Sequence, residues 1–434
     1  MHKNTYMPIS SSISVESNLE IGGCDLAKLA AQYGTPLYII DEETLRENCR
    51  SYLQAFAENY PSALAVYASK AMSVAGVLKI ICEEGLGLDV ASGGELYIAL
   101  KSGADPQKII FHGNNKSPRE LAEALEAGVG LIVLDNPQEL RNLEELAGRA
   151  QKKAAVLVRV TPGIEAHTHD FVKTGGFDSK FGMHIERVCD FLEEVKRCRN
   201  IDFRGLHAHI GSQILEVNPF AFTVEKLAEL IEKIQKRNRL SVEILNLGGG
   251  LGISYTERET PPAVGDYVRA VCQELKYNLG KRKLPQPALI VEPGRSIVGR
   301  AGVTLYTVGA VKENLNIRKY LFVDGGMSDN PRPMLYGAKY SADIVSKITA
   351  KKSELVTVAG KFCESSDILL KDVHLPPAQA GDLLAVYGTG AYNYAMSSNY
   401  NQAPRPAMAL VGAGQSKILV RRETYEDLLK NQEL

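Results

Sequence analysis

Short apolar runs recur through the first three hundred positions, and each ends in a polar or glycine-bearing turn. They are ALAVYASK (63–70), LGLDVAS (86–92), KIIFHGNN (108–115), GLIVLD (130–135), AAVLVRVTPG (154–163), FRGLHAHIGS (203–212), VEILNLGGG (242–250) and PALIVEPGR (287–295). Between them the apolar spacing changes to that of helices, as in PRELAEALEAGV (118–129), NPQELRNLEELAGRAQK (136–152) and PFAFTVEKLAELIEKIQKR (219–237). Continuously apolar strands alternating with amphipathic helices predict parallel βα units. Eight such units over residues 45–300 predict a closed (β/α)8 barrel, with an open doubly wound sheet as the alternative. Beyond residue 300 the rhythm changes. AGVTLYTVGAVKEN (301–314), KYLFVDGG (319–326), SELVTVAGKFCES (353–365) and GDLLAVYGTGAY (381–392) are strand-like runs with little helix between them. They predict a second, mainly antiparallel β-domain over 301–434, joined by residues 1–44, where TPLYIID (35–41) is another strand candidate that fits either domain.

Composition narrows the function classes. The 434 residues are 45% apolar and 23% charged, with a net charge of −1, so the chain has the make-up of a globular protein without the basic footprint of a nucleic-acid or anionic-lipid binder. No apolar run approaches the length of a membrane span. The opening MHKNTYMPISSSIS has neither the apolar core of a secretory signal nor the arginines of a transit peptide. Seven scattered cysteines with no CxxC pair suggest reduced thiols and a cytoplasmic setting, not a disulfide framework.

In a barrel of this kind the active site lies at the C-terminal ends of the strands. Those ends carry Lys70, Asp89 with Ser92, His112 with Asn114, Arg159, His209 with Ser212, Gly248 to Gly250, and Glu292 with Arg295. Lys70 stands among apolar neighbours, which suggests a desolvated, nucleophilic amine. NLGGGLG is either an anion-binding nest or a tight turn needing positive φ. His207 and His209 alternate onto one side of their strand. They could bind a metal with His112, His167, His169 or Glu292, or one of them could stack on an aromatic ring. Glu292 could bind metal, act as a base, pair with a protonated ring nitrogen, or simply pair with Arg295. Cys363 in GKFCESSD is either a buried, inert thiol or an exposed acid or nucleophile.

Taken together, YASKA, HIGSQ, GGGLG, EPGR, RPMLYG and CESSD occur in an order that resembles the bacterial diaminopimelate decarboxylases, which are alanine racemase-like, fold type III enzymes. DSKFGM (178–183) and HGNNK (112–116) add to the likeness, which runs from about residue 35 to residue 425. The resemblance implies pyridoxal 5'-phosphate as cofactor, bound covalently by Lys70. His209 would stack on its ring, and Glu292 would pair with the ring nitrogen. Ser212, Gly249, Gly250, Pro293, Gly294, Arg295 and Tyr392 would hold the phosphate, and Arg159 would contact the phenolic oxygen. It implies a diamino acid substrate whose far carboxylate meets Arg295, Arg332, Tyr336 and Tyr392, and whose far ammonium meets Glu364. It implies Cys363 as proton donor, and a homodimer in which Cys363 and Glu364 serve the neighbouring subunit. The catalytic set is then Lys70, His209, Glu292 and Cys363. The expected reaction is decarboxylation of meso-2,6-diaminopimelate to L-lysine, and no metal is expected.

Lys361 departs from the family pattern, where a proline is frequent two residues before the cysteine. Lys339 and Tyr340 stand where an aromatic residue and a histidine are common. Two enzyme readings compete: an ornithine, arginine or lysine decarboxylase of the same fold, which gives Arg332 no partner, and a metal-dependent barrel hydrolase built on the two histidines. A non-catalytic homologue is disfavoured by the presence of both Lys70 and Cys363.

Overall fold

The computed structural model describes residues 5–164 and 179–433. His167 and His169, two of the possible metal ligands, lie outside them. The eight apolar runs form eight parallel strands: β1 (Leu64–Ala68), β2 (Gly87–Val90), β3 (Ile109–Phe111), β4 (Leu131–Leu134), β5 (Ala154–Thr161), β6 (Ile201–Ala208), β7 (Ile244–Asn246) and β8 (Ala288–Val291). Each pairs with the next, and β8 pairs back onto β1, so the sheet closes into the expected barrel. Val66, Ile110, Leu131, Val133, Leu157 and Ile290 come from β1, β3, β4, β5 and β8 yet form one buried cluster, which strands so far apart in the sheet can do only across the barrel interior.

The helix starts are written into the loops that follow the strands. The Ser92 hydroxyl accepts from the Glu95 N–H and caps Gly93–Lys101. Ser117 and Glu120 form a capping box ahead of Pro118–Ala127, and Asn136 caps Pro137–Arg149. Each cap satisfies backbone donors that a helix start would otherwise leave open, and so fixes where the preceding loop must end. Ser92, read from the sequence as a rim residue, is therefore engaged as a cap.

The chain divides into two compact units. One is residues 48–252 with 261–294, and contains the barrel; the other is residues 1–47, 253–260 and 295–434. The second unit is built on a sheet in which Gly302–Asn314 is the long central strand. It pairs antiparallel with Leu37–Asp41, Arg318–Val323 and Leu383–Tyr387. Glu354–Ala359 joins Arg318–Val323 in parallel, and Ala407–Gly412 joins Leu37–Asp41 in parallel. The strand at TPLYIID thus belongs to this sheet. Strands Ile368–Leu375, Ala407–Gly412 and Gln415–Val420 had no distinct expectation in the sequence. None of them alternates: residues 407–411 are buried throughout, Gln415–Val420 has no buried position, and Ile368–Leu375 pairs with Glu354–Ala359 across register shifts. Among the described residues no helix is long and apolar enough to cross a membrane.

Candidate active site

The C-terminal ends of the barrel strands carry a continuous row of polar groups. Lys70 lies in a single 3₁₀ turn, Ser69–Ala71, directly after β1, and its Nζ is 3.4 Å from Oδ2 of Asp89 on β2. Asp89 Oδ1 lies 3.8 Å from Nε2 of His112, which follows β3. His112 Nε2 in turn is 2.7 Å from Oε1 of Glu292, which follows β8. The same oxygen accepts from Nδ2 of Asn246 at 2.6 Å, and Oε2 accepts from Nε2 of His207 at 3.2 Å. An ionised carboxylate can only accept, so the two imidazoles donate from Nε2. Among the described residues His207 Nδ1 has no hydrogen-bond partner, as befits the unprotonated nitrogen of a neutral ring. Burial pushes the His207 pKa down to about 3, against the pull of Glu292. Burial alone would raise the Glu292 pKa, but His112 and His207 outweigh it and hold the carboxyl well below the usual range.

The glycine loop is tied to this carboxylate. Asn246 Oδ1 accepts from the Gly248 N–H at 2.9 Å while its amide nitrogen donates to Glu292. A Cβ on Gly249 would sit 2.2 Å from the carbonyl oxygen of Glu292, so only glycine lets β7 and β8 approach this closely. Gly248 has φ +65°, and a side chain there would also run into His209. His209 Nδ1 accepts from the Gly249 N–H at 3.2 Å. Burial, with the charges of Lys70 and Arg159, lowers the His209 pKa well below its ordinary value, so the ring is neutral. Two of the loop's N–H groups are thus held by Asn246 and His209, and the open nest anticipated from three glycines is narrower. Pro293 and Gly294 complete the wall: the Pro293 carbonyl accepts from Ala68 N–H at 3.1 Å, and a Cβ on Gly294 would press on Ala68 and Ala71. Ser212 is half-buried in the loop after β6.

Arg159, buried on β5, stacks over Phe181 with 4.4 Å to the ring centroid and lies 3.9 Å from Asp135. Burial lowers its pKa, and Asp135, Glu292 and Asp89 oppose that.

One expectation needs correction. Lys70 is not desolvated: its side chain is 44% exposed, while Ser69, Ala71 and Met72 around it are buried. The apolar neighbours reflect a buried backbone, and the 3₁₀ turn directs the amine toward solvent and Asp89. The histidine pair also separates. His112, His207 and Glu292 bring ligand atoms within 4.8 Å of one another, but His209 is not in that group.

The second unit holds a different cluster. Arg295 and Arg332 are both buried, and each donates from Nη1 to the hydroxyl of Tyr255, at 2.5 and 2.9 Å. Arg332 Nη1 also lies 3.2 Å from the Tyr340 hydroxyl. The Arg295 guanidinium is 4.9 Å from the centre of the Tyr392 ring, and that of Arg332 is 6.0 Å from Tyr336 and from Tyr392. Burial raises the Tyr255 pKa, but the two guanidiniums more than offset it and leave the phenol below its ordinary value. Cys363 and Glu364 are exposed in the turn between Glu354–Ala359 and Ile368–Leu375. The buried Asp367 carboxylate accepts from the N–H groups of Phe362 and Met327, at 2.9 and 2.7 Å, and fixes that turn. Tyr400 donates to Glu364. Cys363 is therefore the exposed thiol of the two possibilities raised by its sequence. Asn246, Tyr255 and the role of His112 as a Glu292 donor were missed; the only local signal was their position beside the glycine loop and at a strand end.

A strand-end lysine, a glycine cradle and a clasped buried carboxylate on a (β/α)8 barrel define a class. Residues 43–299 match the family described as pyridoxal-dependent decarboxylase, pyridoxal binding domain. The diaminopimelate decarboxylase of Bacillus subtilis is 46% identical over 415 residues, covering 95% of this chain and 94% of that protein. That of Synechocystis is 46% identical, covering 98% and 92%. The crystal structure of diaminopimelate decarboxylase from M. jannaschi superposes with a TM-score of 0.92 at 32% identity, over 98% of both chains. The chain belongs to the diaminopimelate decarboxylase family.

The barrel residues suit the family's pyridoxal cofactor. Glu292 is a carboxylate kept ionised by three donors, as a protonated ring nitrogen requires of its partner. His209 offers a neutral flat ring, and Lys70 offers an accessible amine.

Proposed function

We infer that this chain decarboxylates meso-2,6-diaminopimelate to L-lysine and carbon dioxide, the last step of lysine biosynthesis, with pyridoxal 5'-phosphate as cofactor. The bound cofactor supplies an electron sink for the charge left when carbon dioxide departs. In this reading Lys70 holds the cofactor covalently, His209 stacks on its ring, and Glu292 keeps its ring nitrogen protonated. Ser212, Gly249, Gly250, Pro293, Gly294, Arg295 and Tyr392 hold its phosphate, and Arg159 meets its phenolic oxygen. Arg295, Arg332, Tyr336 and Tyr392 take the substrate's second carboxylate, Glu364 takes its second ammonium, and Cys363 returns the proton.

The observation that carries the choice of substrate is Arg332. It is buried, and among the described residues it makes no ion pair; its hydrogen bonds go to two phenols. A buried guanidinium without a carboxylate is costly unless a ligand brings one. Diaminopimelate brings one. Ornithine and lysine, reacting through their only carboxylate, do not. Arg332→Ala should therefore cut kcat/KM on meso-diaminopimelate by roughly thirty-fold or more, and change any activity on ornithine or lysine far less. An equal loss on all three would favour the basic amino acid decarboxylase reading.

The enzyme acts as a homodimer in this account, with Cys363 and Glu364 completing the partner's site. Their exposure on a turn fixed by Asp367 supports it. A reducing, cytoplasmic setting is supported by seven free cysteines.

A further inference from the structure

Arg295 and Arg332 lie together in the second unit, both buried, and a single oxygen joins them. The Tyr255 hydroxyl is within hydrogen-bond reach of Nη1 of each, and Tyr340 adds a second phenol on Arg332. Both guanidiniums are consequently held within the span that the two oxygens of one carboxylate can cover. Tyr255 is itself fixed. It packs edge-on against Tyr340, with 5.2 Å between ring centres, and a Cβ on Gly388 would press on its ring. Its segment, residues 253–260, belongs to this unit although it falls between β7 and β8 in the chain.

The choice of a phenol has a chemical consequence. Two guanidiniums side by side repel each other, and some acceptor must sit between them. An aspartate or glutamate there would neutralise the pair and occupy it permanently. A neutral phenol accepts from both without bringing a carboxylate's full charge, and so holds the two guanidiniums side by side without closing a salt bridge of its own. Against its burial, the two guanidiniums lower the Tyr255 pKa, as two cationic donors on one phenol oxygen should.

We propose that Tyr255, seconded by Tyr340, is the positioning residue of the carboxylate clamp, setting Arg295 and Arg332 to grip the far carboxylate of the substrate and of the product. The inference rests on the reading that these arginines take that carboxylate. Decarboxylation at one end leaves the other carboxylate in place, so L-lysine still carries it. 1,5-Diaminopentane is the same molecule without it, and the difference between their inhibition constants isolates the clamp.

The experiment measures Ki for L-lysine and for 1,5-diaminopentane, with KM and kcat for meso-diaminopimelate, on the holoenzyme and its Tyr255→Phe, Tyr340→Phe and Arg332→Ala variants. Tyr255→Phe should raise the L-lysine Ki and the diaminopimelate KM about tenfold or more. The diaminopentane Ki should move less than about twofold, and kcat should fall far less than kcat/KM. Tyr340→Phe, which removes the longer, 3.2 Å phenol contact of Arg332 and leaves Tyr255 in place, should shift the L-lysine Ki in the same direction by a smaller factor. It keeps the proposal testable if Tyr255→Phe does not fold. An unchanged ratio of the two Ki values in the phenylalanine variants, beside a collapsed ratio in Arg332→Ala, overturns the positioning role and leaves the substrate reading standing. Equal weakening of both inhibitors by Tyr255→Phe also overturns it. An unchanged ratio in Arg332→Ala overturns the substrate reading itself.

Discussion

His112 Nε2 lies 2.7 Å from Oε1 of Glu292, although the two residues are 180 positions apart in the chain. The closure of the barrel brings the ends of β3 and β8 onto one buried carboxylate, and His207 and Asn246 complete its shell.

That shell makes Glu292 a permanent anion, and its charge is what Glu292→Gln removes while preserving shape. Decarboxylation by the variant should slow tenfold or more, since each unit of lost pKa matching is worth about 1.4 kcal/mol. Much of the cofactor should remain bound. Steady-state kcat and the cofactor absorbance of the purified variant check both halves; wild-type turnover would show that the carboxylate has another task.

Lys70 should be the covalent anchor. Borohydride treatment of the holoenzyme, followed by peptide mass mapping, is expected to place one reduced pyridoxyl group on Lys70. A label on another lysine, or a preparation carrying stoichiometric zinc and no pyridoxal, would contradict the assignment.

Asp329 gives the second unit a pH-dependent stability. Burial raises its pKa to about 7, with Asp367 and Asp324 adding to the rise and hydrogen bonds from Tyr306 and the Gly326 N–H opposing it. Between about pH 4, where an unfolded aspartate ionises, and pH 7 the native carboxyl keeps its proton. Its contribution to stability is thus complete below about pH 4 and is lost as pH rises through 7, on the order of a few kcal/mol. Melting curves from pH 4 to 8 should show wild type losing stability relative to Asp329→Asn across that window. Parallel curves would contradict it.

The proposed sharing of sites between two subunits makes a prediction about mixed dimers. Lys70→Ala and Cys363→Ala should each be nearly inactive alone. Mixed and allowed to exchange subunits, they should regain about one quarter of wild-type activity, because half the dimers then carry one intact site. No recovery, with exchange verified by mass, would place Cys363 in its own subunit's site.

The barrel was legible because its strands are short, mainly apolar runs set between amphipathic helices, the signature of a parallel sheet covered by helices. The places of Lys70, Gly249 and Glu292 at the barrel rim were legible because each directly follows an apolar run, and strand ends are where such barrels carry chemistry. The exposure of Lys70 was not, because Ala71 and Met72 report a buried backbone and say nothing of where the neighbouring side chain goes. Tyr255 was hidden because its segment belongs to the second unit while its sequence neighbours belong to the barrel. Asn246 was read only as the start of the glycine turn; its hydrogen bond to Glu292 exists only once β7 and β8 are side by side.

The central claim is the substrate, and the most direct measurement is kcat/KM of the purified holoenzyme for meso-diaminopimelate, L-lysine and L-ornithine, following carbon dioxide release and the amine product. The account predicts L-lysine formed from meso-diaminopimelate with kcat/KM exceeding the other two by roughly thirty-fold or more. Equal or greater kcat/KM for ornithine or lysine would contradict it.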